Sequence, residues 1–221
     1  MNPDRRLAGA AGIVAAVLLV LETSLFLLSG WSPARFADPV QALELLRGGA
    51  KQLRAAALFG VVGLVATTFL VVGLARALSE QAPSLATGML YFGVIGVAGH
   101  SLVPLGLWIG IPAFLALAIE NASVAQSGWV SFAQVSNAAH GVGNLFGALF
   151  MLFAGVAAMT TPVLSKALGW IGLIAAILTL TTLLTVGTPL DAVGGALFMP
   201  ALALTVLFRF WGGIVLWKQW R

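Results

Sequence analysis

FAQVSNAAHGVGNLFGALFMLFAGVAAM, residues 132–159, decides the fold. As a helix rising ~1.5 Å per residue it is long enough to cross a hydrocarbon core of ~30 Å. Positions three and four apart put Ala133, Ser136, Asn137, His140, Gly143, Asn144, Gly147 and Met151 on one stripe, while the other positions are mostly Leu, Phe, Val and Ala. An unpaired polar group in hydrocarbon costs several kcal/mol, so this stripe predicts a face turned toward other helices or a wet interior.

Composition agrees with that reading. The chain of 221 residues is 60% hydrophobic and 8% charged, with mean hydropathy +1.04. Such a balance leaves little room for a soluble domain and indicates one all-α, polytopic membrane bundle over residues 1–221. The pI near 10.4 and net charge of +4 do not point to nucleic acid, because the few basic residues flank apolar runs. Membrane lipids and the positive-inside rule account for them. Without Cys there is no disulfide, redox CxxC pair or thiolate metal site.

Six apolar runs stand out, at residues 7–28, 55–78, 86–107, 132–159, 168–184 and 189–217. Arg5 and Arg6 before the first resemble a signal n-region, but the run is too long and lacks a small-x-small cleavage site, so it reads as a retained span. After it comes a long loop, 30–54, in which Asp38-Pro39 starts a short amphipathic interfacial helix that Gly48-Gly49 stops. The third run continues to Glu120. Pro104, Gly106, Gly110 and Pro112 predict a span ending near Trp108 and then an interfacial or re-entrant piece. Trp31, Trp108 and Trp129 read as an aromatic belt, and Trp170, Trp217 and Trp220 as interface anchors. Ser131 and Gln134 have capping-box spacing for the fourth helix, and Pro189 and Asp191 suit the start of the sixth. With the N-terminus inside, Arg5, Arg6, Arg76, Lys166, Lys218 and Arg221 are cytoplasmic, and Arg35, Arg47, Lys51 and Arg54 lie outside. Both termini are therefore expected in the cytoplasm.

The chain's two histidines both fall within spans, His100 in the third and His140 in the fourth, at similar expected depth. Gly93 and Gly96 lie on the face of His100, and Gly143 and Gly147 on that of His140. Two imidazoles at one level beside bare backbone could serve as axial ligands of a haem b; the same glycines also suit close helix packing, with the histidines bonded to Asn or Ser. Zinc would need Glu22 as third ligand, and no HExxH spacing supports it. Glu22 and Arg209 are the charges inside spans, placed so that they could pair or, alternatively, so that Arg209 snorkels to headgroups while Glu22 is protonated or hydrogen-bonded to Thr23 or Ser24. Thr67, Thr68, Thr179, Thr181, Thr182 and Thr185 are expected to bond their own helix carbonyls. There is no serine elbow, Walker loop or dinucleotide fingerprint.

Three stretches carry a family resemblance: Ala57-Leu58-Phe59-Gly60 through Leu74-Ala75-Arg76-Ala77-Leu78; His140-Gly141-Val142-Gly143-Asn144-Leu145-Phe146-Gly147 with the later Leu168-Gly169-Trp170-Ile171-Gly172; and Met199-Pro200 leading to Trp211-Gly212-Gly213. In these the chain resembles bacterial six-span membrane proteins of the domain of unknown function 4386 family. The resemblance implies six-span topology and a bacterial inner-membrane location, and brings no activity with it. The residues themselves point to a protein, not an enzyme, that binds or moves a small or lipid-like ligand or acts as an accessory subunit to a protein partner. The ligand would meet Glu22, His100, Ser136, Asn137, His140 and Asn144. The competing reading is an electron-transfer protein with His100 and His140 on haem b.

Overall fold

The computed structural model describes residues 3–218, so Trp220 and Arg221 lie outside the described residues. Seven helices follow one another among them: α1 Pro3–Leu28, α2 Pro33–Ala37, α3 Pro39–Leu78, α4 Pro83–Glu120, α5 Ala122–Thr160, α6 Lys166–Thr185 and α7 Asp191–Lys218. All but α2 are long and apolar enough to cross a membrane. The described part of the chain is thus an all-α, multi-pass bundle of six spans with a short helix after the first.

The six long helices form a closed ring in the order α1, α3, α4, α5, α6, α7 and back to α1, and α3 also touches α5 and α7 across it. The N-terminus, the 79–82 turn, the 161–165 turn and the end of α7 share one end of the bundle, called here the terminal end. The 29–38 segment, Asn121 and the 186–190 turn share the other, the loop end.

Several boundaries differ from the sequence expectation. The 30–54 region is no long loop, because α3 starts at Pro39 and runs through Gly48-Gly49 without stopping. Burying Ala42, Leu43, Leu45, Leu46 and Leu53 outweighs the modest helix penalty of two glycines. Asp38 caps this helix, its Oδ1 accepting from the Val40 and Gln41 amides at 2.9 and 3.0 Å. The Gln41 amide, before the others, holds the Asp38 carboxyl below the usual carboxylate range. Neither Pro104 nor Pro112 breaks α4, which is continuous to Glu120. Likewise α5 begins at Ala122 under an Asn121 cap, not at a Ser131 capping box, and the Ser131 hydroxyl donates back to Ser127 O. The last helix starts at Asp191, after Pro189.

These longer helices have an architectural consequence. With 40, 38 and 39 residues, α3, α4 and α5 extend ~60 Å, twice the ~30 Å of α6. Their surplus projects at the loop end as a head with its own core of Phe36, Leu46, Leu53, Ile111 and Trp129 among others. Trp129 is therefore not part of a lipid belt. It is 1% exposed, donates its indole N–H to Phe36 O at 2.9 Å, and packs against Phe36, Phe114 and Phe132. A second core nearer the terminal end joins Leu70, Leu74, Met89, Phe150, Leu168 and Phe208. On the same end Arg76 pairs with Asp4 at 2.9 Å, and Arg6 lies 4.9 Å over the Trp217 ring.

Candidate functional site

Close approach of α4 and α5 builds the centre of the molecule. A Cβ added at Gly96 would lie 2.8 Å from the Gly147 amide nitrogen, and one at Gly99 would lie 2.7 Å from that of Gly143. Gly143 in turn carries the His100 ring directly on its Cα, since a Cβ there would sit 2.8 Å from His100 Cγ. These glycines therefore serve helix packing with an imidazole laid in the groove. His140, one turn before Gly143 on α5, meets His100 edge to face, with centroids 4.8 Å apart and planes at 76°.

That geometry decides the haem reading. Two trans imidazoles on one iron stand roughly 6 Å apart between centroids, given Fe–N bonds of about 2 Å plus half of each ring. Here the rings touch, and Gly143 closes the flank where a macrocycle would pass. His100 and His140 do not fit a bis-histidine haem. No group of three metal-binding side chains occurs among the described residues, so Glu22 does not complete a zinc site with them.

The other polar side chains approach the histidines from different helices. Glu22 of α1 places its carboxylate against the Cα of Gly60 on α3, beside Pro104 on α4. On α7, Gly213 packs on α1 and Phe208 packs on Gly172 of α6, so Arg209 lies on the face between them and turns inward. Arg209 is close enough to Glu22 and to His100 to interact with each electrostatically. Of the two alternatives, the Glu22–Arg209 ion pair is not formed, since these side chains do not come within 4 Å of each other.

None of these groups finds a protein hydrogen bond. The side chains of Glu22, His100, Asn137, His140, Asn144 and Arg209 neither donate to nor accept from protein, so the expected bonds of His to Asn or Ser, and of Glu22 to Thr23 or Ser24, are absent. Yet no buried side-chain N or O lacks a partner among the described residues. Their polar atoms are therefore not fully enclosed by protein. Glu22, His100, Asn144 and Arg209 are half-buried, while His140 and Asn137 are exposed. Ser136 is buried, at 3% exposure. Gly141 lies opposite Leu183, two residues before α6 ends. Asn137, one turn nearer the loop end, is past the cover of α6. The exposure of Asn137 follows from this.

The threonines behave differently. Thr67 donates to Gly63 O at 2.7 Å, and Thr179 and Thr182 donate to Ala175 O and Leu178 O, which leaves them structural. Two shallow clefts of about 310 and 400 Å³ at the terminal end, one lined by Arg5, Glu80 and Pro162 and the other by Trp211, Val215 and Lys218, are remote from the histidines.

A model for one family covers residues 6–211. The chain belongs to the family described as Domain of unknown function (DUF4386). No curated protein and no solved structure is significantly similar to it. In this DUF4386 chain the family span takes in Glu22, both histidines, both asparagines and Arg209. Arg209 and Pro104 both lie near Glu22, although the sequence treats the first as an ion-pair or snorkelling residue and the second as a kink. The signal for Pro104 is its spacing from His100: a proline four residues on has no N–H to give the His100 carbonyl, which is left without its helical donor.

Proposed function

We propose that this DUF4386 protein binds or moves a small or lipid-like ligand through Glu22, His100, Ser136, Asn137, His140 and Asn144, with no enzymatic role. One observation carries the reading: side chains that carry charge or strong hydrogen-bonding groups sit within membrane-spanning helices without protein hydrogen-bond partners. Each would cost several kcal/mol if left unsatisfied in hydrocarbon, so water or a ligand must serve them. The protein resides in a bacterial cytoplasmic membrane with both termini in the cytoplasm, a placement supported by Arg5, Arg6, Arg76, Lys166 and Lys218 at the terminal end.

A second reading, an accessory subunit, has its own support. The outer face of α4 in the head leaves Trp108 40%, Ile109 69% and Ile119 86% exposed, beyond the level at which α6 ends. A protein partner would cover it.

Native mass spectrometry of gently extracted protein tests both readings. The ligand reading expects a bound mass that survives purification and is lost in the His140→Leu/Asn144→Leu double variant. Identical bare masses for both proteins would sink it, and a stoichiometric protein adduct would favour the subunit.

A further inference from the structure

At the terminal end, remote from the histidines and independent of the ligand reading above, the 161–165 turn and the last turns of α7 line a cleft of about 400 Å³. Val163, Leu164, Ile214 and Val215 make most of its lining apolar. Trp211 fixes its two sides relative to each other: the indole N–H donates to Ser165 Oγ at 3.1 Å, and the same oxygen, capping α6, accepts from the Leu168 amide at 3.3 Å. Lys218 supplies the charge.

Among the described residues the Lys218 ammonium has no protein acceptor. The other cations of this end are engaged or offset. Arg76 pairs with Asp4, Lys166 Nζ donates to Met159 O at 2.6 Å, and Arg6 lies over the Trp217 ring. The adjoining cleft, which shares Pro162 and Val163, holds Glu80 as well as Arg5 and so offers an anion no net attraction. No carboxylate lines the Lys218 cleft among the described residues.

Depth decides what kind of anion suits Lys218. Trp170, in the second turn of α6, and Trp217, at the end of α7, are exposed, and indoles so placed mark the boundary between hydrocarbon and headgroups. Lys218 follows on the headgroup side, with Ile214 one turn deeper. A free anion would use the ammonium and leave the apolar lining wet. A phospholipid covers both, and basic clefts between helices at this level suit anionic headgroups. A zwitterionic headgroup would bring its own cation to Lys218, with no carboxylate in the cleft to receive it. We propose that this cleft is a site for an anionic phospholipid, its phosphate at Lys218 and the first methylenes of one acyl chain along Ile214 and Val215.

The test uses the full chain in mild detergent with an equimolar mixture of phosphatidylglycerol and phosphatidylcholine of identical acyl chains, read by native mass spectrometry. Phosphatidylglycerol is expected to be retained over phosphatidylcholine by about fivefold, the effect of one basic residue beside an anionic headgroup. Lys218→Gln, a change at an exposed position, brings the two lipids to parity, and Lys218→Arg keeps the preference. Arg47→Gln, which removes an exposed cation of the loop end, leaves it unchanged. Equal retention of both lipids by the parent, or an equal drop in Lys218→Gln and Arg47→Gln, would overturn the site. A parallel sample with millimolar glycerol 3-phosphate separates lipid from free phosphate: an adduct lost in Lys218→Gln while neither lipid is held would overturn the lipid assignment. The His140→Leu/Asn144→Leu variant keeps the phosphatidylglycerol preference, so failure of the histidine site leaves this one standing; loss of the preference there, with Lys218→Gln unaffected, would place the lipid at the histidines instead.

Discussion

Gly143 sets the distance between the two histidines. A methyl group there would fall 2.8 Å from both Cγ and the amide nitrogen of His100, closer than real Cβ contacts allow, and one of those atoms belongs to a helix backbone that cannot swing aside. Overpacking of this kind costs about 1–3 kcal/mol. Gly143→Ala is therefore expected to lower the thermal midpoint of the detergent-solubilised protein, whereas Gly195→Ala, with nothing within 4 Å of its Cβ, should match or slightly exceed the parent. Equal midpoints for the two variants would mean that α4 and α5 are not in this close contact. The importance of Gly143 was half legible in the sequence, where its spacing from Gly147 marked small-residue packing. Which side chain lies over it was not, because that depends on the rotation of α4 about its axis.

At the scale of elements, the head is where local pattern and packing part company. Gly48-Gly49, Pro104 and Pro112 are all local reasons to end a helix, and all lie within continuous ones. A glycine penalty of ~1 kcal/mol is small against several buried leucines at ~1.5–3 kcal/mol each, so tertiary burial overrides it. Trp129 ties the head together by bonding α5 to the carbonyl of Phe36, the one buried residue of α2. Trp129→Phe keeps most of the ring contacts and removes the N–H, leaving that carbonyl unsatisfied at a cost of about 1–3 kcal/mol. Hydrogen exchange should then speed up in residues 33–38 while the α6–α7 hairpin is unchanged. Uniform exchange across both regions, or none at all, would show that this bond does not anchor α2.

For the whole molecule, the absence of Cys makes topology directly measurable. Single cysteines at exposed Gly48 and Thr188 of the loop end, and at Gln81 of the terminal end, can be challenged with a membrane-impermeant maleimide on intact cells. The proposed orientation expects Gly48→Cys and Thr188→Cys to label at once and Gln81→Cys only after permeabilisation; the reverse pattern would invert the protein in its membrane. Much of this architecture was readable without coordinates: six apolar runs separated by polar turns determine six spans, since hydrocarbon admits no other way to satisfy so much backbone. The polar stripe of α5 was legible too, but of its polar side chains Ser136 is buried while Asn137 and His140 are exposed. Tertiary structure alone decided that the imidazoles touch and leave no room for haem, that Arg209 comes near Glu22 without pairing with it, and that α6 stops short of Asn137, which is exposed. Each of these depends on the rotation and relative height of packed helices. Periodicity along one helix says which residues share a face, and only the packing of neighbours says what that face meets.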